Sequence, residues 1–300
     1  MEWENSREST NVEDRRGDSG GFGIPMGGGT GGLGIGAILI LAALAYFTGV
    51  DPRVLIGGAQ IVMGGGHVGS YSQLNTAPNP IRGRPTAPGD QTEHFVKVIL
   101  AQTEDVWAQI LPAQKGVAYV DPKLVTYRGS WPSGCGQAEA SMGPFYCPND
   151  RKVYLDLTFF NDMKAKYGGG GDFAYAYVIA HEVGHHVQNL LGILDKAEEA
   201  KQGVSRTQVN AISVRIELMA DCLAGVWAAN ADEKWHVLDP GDVEEAQATA
   251  AAIGDDRLQT AARGYAVPDS FTHGSSALRQ KWLNAGLKSG QIDSCNTFAR

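Results

Sequence analysis

The residues best equipped for chemistry are His181-Glu182-Val183-Gly184-His185, set in the apolar run Tyr177-Val178-Ile179-Ala180. Residues four apart on a helix lie nearly above one another, so His181 and His185 would face the same way. Two imidazoles on one face supply half of a tetrahedral zinc site. Glu182 is rotated off that face, within reach of a water beside the metal. The pattern points to metal-assisted hydrolysis with a carboxylate base. The plainer reading is a surface helix with two hydrogen-bonded histidines, and a third ligand is needed to decide between them.

That ligand is expected in Ile216-Glu217-Leu218-Met219-Ala220-Asp221-Cys222. Glu217 and Asp221 are four apart and share a face. A carboxylate among apolar neighbours is costly to bury unless it is paired or binds a metal. Glu217 is therefore assigned as third ligand, and Asp221 as acceptor of the outer N–H of a ligating histidine. A three-histidine site would want a His six residues after His185, where Leu191 stands. His186 is turned about 100° from the ligand face and reads as a packed or neighbouring histidine. His94 and His236 have no supporting context, and His67 lies in a glycine-rich stretch. His273, in the loop Thr272-His273-Gly274, is a candidate hydrogen-bond donor to an oxyanion, with a purely structural role as the alternative.

These groups need helices to hold them. Asp172 is expected to cap a helix running through Phe173, Ile179, Val183, Val187 and Leu190, ended by Gly192, with the histidines mid-helix. A long second helix, roughly Ser205 to Asn230, carries Glu217. A third opens at Asp239-Pro240-Gly241-Asp242, and a last one around Leu278 to Leu287 is capped by Ser275. Upstream, Thr92 to Leu111 has an apolar stripe and Pro112 after it. Val117–Val120 and Leu124–Tyr127 look like short strands. Phe145–Cys147 and Val153–Leu157 flank Pro148-Asn149-Asp150 as a hairpin. A Cys135–Cys147 disulfide would close a loop contributing roughly 3 kcal/mol; the alternative is a cysteine zinc site. Cys222 either pairs with Cys295 or is a small buried hydrophobe.

The first third reads differently. Residues 1–32 are polar and then glycine-rich, and are expected to be a disordered tail. Leu33 to Val50 is an eighteen-residue apolar stretch inside a charge-free interval from Ser19 to Val50, just long enough to cross a bilayer as a helix. A cleaved signal peptide fits less well, because the region before it is long and acidic. Gly32 and Gly36 are a small-xxx-small pair. Residues 51–90, rich in Gly, Pro, Asn and Thr, are expected to be a linker to a soluble domain over 91–300. Arg7, Arg15 and Arg16 before the span, against Arg53 after it, place the N-terminus in the cytoplasm. Paired cysteines in the domain would agree with a location outside. The net charge of −8 and the absence of a Lys/Arg cluster exclude a nucleic-acid partner.

Taken together, the runs Gly143–Pro148, Val153–Asp156, Ala180–His186, Glu217–Cys222 and Ser270–Gly274 resemble the bacterial family of predicted neutral zinc metallopeptidases. The resemblance covers nearly the whole chain. It implies Zn2+, a peptide or protein substrate and, through the wider gluzincin group, Glu217 as third ligand with Asp221 behind it. The expected architecture is α+β: a transmembrane helix, then a mainly helical zincin-like domain with a small sheet. The expected protein is a single-pass membrane zinc peptidase with its catalytic domain on the extracytoplasmic side and Glu182 as general base. By analogy with zincins, the Val153–Leu157 strand would pair with an extended substrate. Two other readings are a catalytically silent, zinc-stabilised binding module at the membrane and a hydrolase of a non-peptide bond.

Overall fold

A computed structural model describes residues 1–18, 91–167 and 170–299. The expected span at 33–50, the whole of the expected linker at 51–90, His67 and the Gly32/Gly36 pair lie outside the described residues. Among the described residues no helix is long and apolar enough to cross a membrane.

The described part is α+β, as expected, with most of its residues in helices. An N-terminal arm carries strand β1 (Val12–Asp14), and helix α1 (Gln91–Lys115) follows after residues 19–90. Then come β2 (Lys123–Tyr127), the hairpin β3 (Ser130–Ser133) and β4 (Gly136–Glu139), β5 (Phe145–Cys147) and β6 (Lys152–Asp156). The helices are α2 (Thr158–Tyr167), α3 (Asp172–Leu190), α4 (Ile193–Lys201), α5 (Arg206–Trp235), α6 (Asp242–Ala252), α7 (Asp255–Arg263) and α8 (Ser276–Ser289). The main sheet has the order β1-β2-β6-β5, with β1, β2 and β6 parallel and β5 antiparallel on one edge.

The arm corrects the sequence expectation most sharply. Residues 1–18 are folded onto the domain rather than disordered. β1 pairs with β2 in the register Val12↔Leu124. Trp3 is buried, stacks edge-on against Phe95 and donates its Nε1 to Asp172 at 2.8 Å. Glu104, buried in the middle of α1, accepts from Arg7, Ser9 and Asn11. The arm's polar residues are thus partners of a distant helix, and composition alone cannot reveal that.

Smaller departures follow from local chemistry. Pro112 sits inside the last turn of α1, where its missing N–H costs a single hydrogen bond, and the helix continues to Lys115. Residues 117–120 form no strand. The Val120 carbonyl instead accepts from the His186 ring at 2.6 Å. β6 lies inside the sheet, paired on both sides, so the edge strand is β5 rather than Val153–Leu157.

The helices pack closely where side chains are absent. α5 begins with a Ser205/Gln208 capping box, its Ser205 hydroxyl accepting from Gln208 N. α3 crosses it at Gly184, where a Cβ would stand 3.1 Å from the Ala220 carbonyl oxygen. α8 lies on its other side. A Cβ on Gly286 would overlap the Cys222 carbonyl, and one on Gly225 would overlap that of Leu283. Trp107, Tyr177, Phe173, Ile179 and Trp227 fill the core around these crossings. The expected Cys135–Cys147 disulfide is present, and of the two alternatives left for Cys222 the structure shows the bond to Cys295.

Candidate metal centre

The Gly184–Ala220 contact brings the middle of α3 against the middle of α5, and that sets the site. His181 Nε2 is 3.3 Å from Glu217 Oε2, and His185 Nε2 is 3.6 Å from Glu217 Oε1. One ligand atom from each of His181, His185 and Glu217 can be chosen so that all lie within 4.8 Å of one another. The two imidazole planes are perpendicular, with centroids 4.8 Å apart.

Both histidines are held through their other nitrogen. His181 Nδ1 donates to Asp221 Oδ1 at 2.9 Å. His185 Nδ1 donates to Gln188 Oε1 at 2.9 Å, and Gln188 is itself fixed by its Nε2 donating to the Ile216 carbonyl. Each Nε2 therefore faces Glu217 and is the nitrogen left for a divalent ion, which binds it once it carries no proton.

Asp221 is completely buried and fully occupied. Arg279 reaches in from α8, donating Nε to Oδ2 at 2.9 Å and Nη2 to Oδ1 at 2.8 Å, and Tyr177 donates its hydroxyl to Oδ1 at 2.6 Å. Burial alone would push the Asp221 carboxyl up, but Arg279 and His181 outweigh it and hold it at about 2. The same balance acts on His181. Burial opposes its charge, while Asp221 and Glu217 raise it to about 10. Glu217 is driven well below the ordinary range: burial works against ionisation, and the two histidines more than offset it.

These groups floor a cleft of about 470 Å³ that also exposes Glu182, His273 and Arg279. Its walls are apolar, with Met142, Phe145, Phe159, Leu194, Ile253 and Leu258 among them. His273 arrives on the loop before α8. Asp255 Oδ2, at the start of α7, accepts the backbone N–H groups of Thr272, His273 and Gly274 at 2.7, 2.6 and 3.0 Å. The other Asp255 oxygen lies 3.4 Å from His273 Nδ1. That carboxylate raises the His273 pKa, against a smaller opposing effect of burial. His186 is turned away, as helix geometry predicts. Its Nδ1 accepts from the Tyr146 hydroxyl at 3.0 Å, and burial lowers its pKa to about 4.

A family described as "Putative neutral zinc metallopeptidase" matches residues 1–298. The chain belongs to this neutral zinc metallopeptidase family. Uncharacterized protein YpfJ of Escherichia coli K12 is 47% identical over 307 residues, covering 100% of this chain and 99% of the relative. Uncharacterized protein Rv2575 of Mycobacterium tuberculosis H37Rv is 41% identical over 225 residues, covering 70% of this chain and 73% of the relative. No solved structure matches. The metallopeptidase family implies Zn2+, and the donor set fits it: two imidazoles and a carboxylate that converge, each imidazole tied through Nδ1 with Nε2 turned to the site.

Every residue assigned to the centre from sequence is found there, and the structure adds four more. Tyr177 and Gln188 lie four before His181 and three after His185, so helical spacing could have pointed to both. Arg279 and Asp255 have no such signal, because they reach the site from separate helices.

Proposed function

We propose that this family member is a zinc-dependent peptidase in which His181, His185 and Glu217 hold the metal and Glu182 is the general base. The observation that carries the reading is the pair of tied Nδ1 atoms, which turn both Nε2 atoms toward the Glu217 carboxylate. Zinc in such a site lowers the pKa of a water molecule and polarises a carbonyl. Glu182, beside the ligands in the cleft, takes a proton from the attacking water and delivers it to the leaving amine. His273, oriented by Asp255, which also raises its pKa, donates to the carbonyl oxygen as negative charge develops there. Strand β5 has an edge that no described strand covers, and Phe145 and Tyr146 line the cleft. An extended substrate would lie along that edge.

Three protein ligands beside a carboxylate in an open cleft favour this reading over a silent zinc-stabilised binding module, which would use four protein ligands and need no Glu182. The test is Glu182→Gln, assayed against a broad peptide library with zinc measured in parallel. We expect one zinc per chain in both proteins and a loss of cleavage by about 10²–10⁴-fold in the variant. Equal cleavage by the two would remove Glu182 from the mechanism. Cleavage by neither would favour the binding module.

A further inference from the structure

Two large apolar side chains that line the cleft are left open to solvent. Met142 is 60% exposed and Leu258 is 37% exposed. Neither belongs to the buried core. Met142 ends the short 3-10 helix Ala140–Met142, which leads into the edge strand β5. Gly143 follows at φ 76°, and a Cβ there would stand 3.5 Å from the Phe159 ring, so Phe159 lies against this turn. Leu258 is on α7, three residues after Asp255 and therefore on the same helical face. That face meets the His273 loop, because Asp255 accepts the loop's backbone N–H groups. One exposed apolar side chain is thus set beside the strand edge, and the other beside the loop that carries His273.

Charge is sparse on these walls. The charged side chains that line the cleft are Glu182, Glu217 and Arg279, together with His181, His185 and His273. In the peptidase reading Glu217 is committed to the metal and Glu182 to the water. Arg279 offers no free charge, since Asp221 accepts from its Nε and Nη2 at 2.9 and 2.8 Å. A charged substrate side chain brought here would lose water without gaining an ion partner. A large apolar one would take its own surface and that of Met142 and Leu258 out of water together. Contiguous exposed apolar surface with a polar floor marks a ligand groove.

We infer that the cleft selects its substrate by a bulky apolar side chain, of leucine, methionine or phenylalanine type, that seats against Met142 and Leu258 beside the metal centre. The inference rests on the peptidase reading and adds its substrate class. Met142 and Leu258 determine specificity and take no part in the chemical step.

The test uses the full chain and a set of peptides that differ at one position, occupied by phenylalanine, leucine, alanine, lysine or aspartate. Dissociation constants are measured by fluorescence anisotropy with the zinc-loaded Glu182→Gln protein. Cleavage and its position are measured with the wild type. We expect the phenylalanine and leucine peptides to bind at least about tenfold tighter than the lysine and aspartate peptides. The wild type should cut beside the apolar residue. Met142→Lys and Leu258→Lys, made at exposed positions, should lose the preference and keep one zinc per chain. Met142→Leu and Leu258→Met should retain it. Equal dissociation constants across the set would overturn the inference, as would an unchanged preference in both lysine variants. Cleavage by the wild type without that preference would overturn it too, and leave the peptidase reading standing. Apolar preference in binding, with no cleavage by the wild type, does the reverse: it supports the selection of apolar side chains and sinks the peptidase reading.

Discussion

At the scale of the residue, the centre is a set of protons held in defined places. Asp221 holds one on His181 Nδ1, and Gln188 fixes His185 in the same way. Asp221→Asn keeps the shape but can present its NH2 to His181, which disturbs the tautomer. Zinc affinity, measured by competition with a chelator, should fall by about 10–100-fold. The raised pKa of His181 makes a second prediction. With its pKa near 10, the ring carries two protons at neutral pH before zinc enters, and coordination needs the Nε2 lone pair. Zinc uptake at neutral pH should therefore release protons. Apparent affinity should rise with pH and level off near the His181 value. Calorimetry in buffers of different ionisation enthalpy measures this directly, and uptake without proton release would contradict the assigned ionic state.

At the scale of the element, the site depends on how near three helices come to one another. Gly184 admits the α5 backbone, and Gly225 with Gly286 admits α8, which brings Arg279 to Asp221. Gly286→Ala forces a methyl group into the Cys222 carbonyl and should destabilise the fold by about 1–3 kcal/mol, read as a lower denaturant midpoint. Unchanged stability would mean that α8 packs more loosely than the geometry implies. The same elements separate what sequence could and could not reveal. The metal helix, the long α5 and the Ser275 cap were legible because each is specified by neighbours within a few residues. His181, His185, Glu217 and Asp221 were legible because helical spacing groups them in pairs. Arg279 and Asp255 were not, since their partners are far away in sequence. The ordered arm was missed for a related reason: Arg7, Ser9 and Asn11 look like solvated polar residues until the buried Glu104 is seen opposite them. The choice of edge strand failed because sheet order is set by which strands meet, and β2 closes the side of β6 that a hairpin alone would leave open.

At the scale of the whole molecule, the domain is stapled around its site. Cys222 follows Asp221 directly, and its bond to Cys295 ties the C-terminal turn to the helix that carries Glu217. Replacing Cys222 and Cys295 together by Ala should cost about 2–5 kcal/mol, measured by denaturant unfolding of the zinc-loaded protein. A cost near zero would show that helix packing alone holds this end of the chain.

The central claim is that His181, His185 and Glu217 hold zinc together. X-ray absorption at the zinc edge of the purified full chain tests it most directly. We expect a nitrogen and oxygen shell at about 2.0–2.2 Å with two imidazoles in it, lost in Glu217→Ala. A sulfur shell near about 2.3 Å, or an unchanged spectrum from Glu217→Ala, would contradict it.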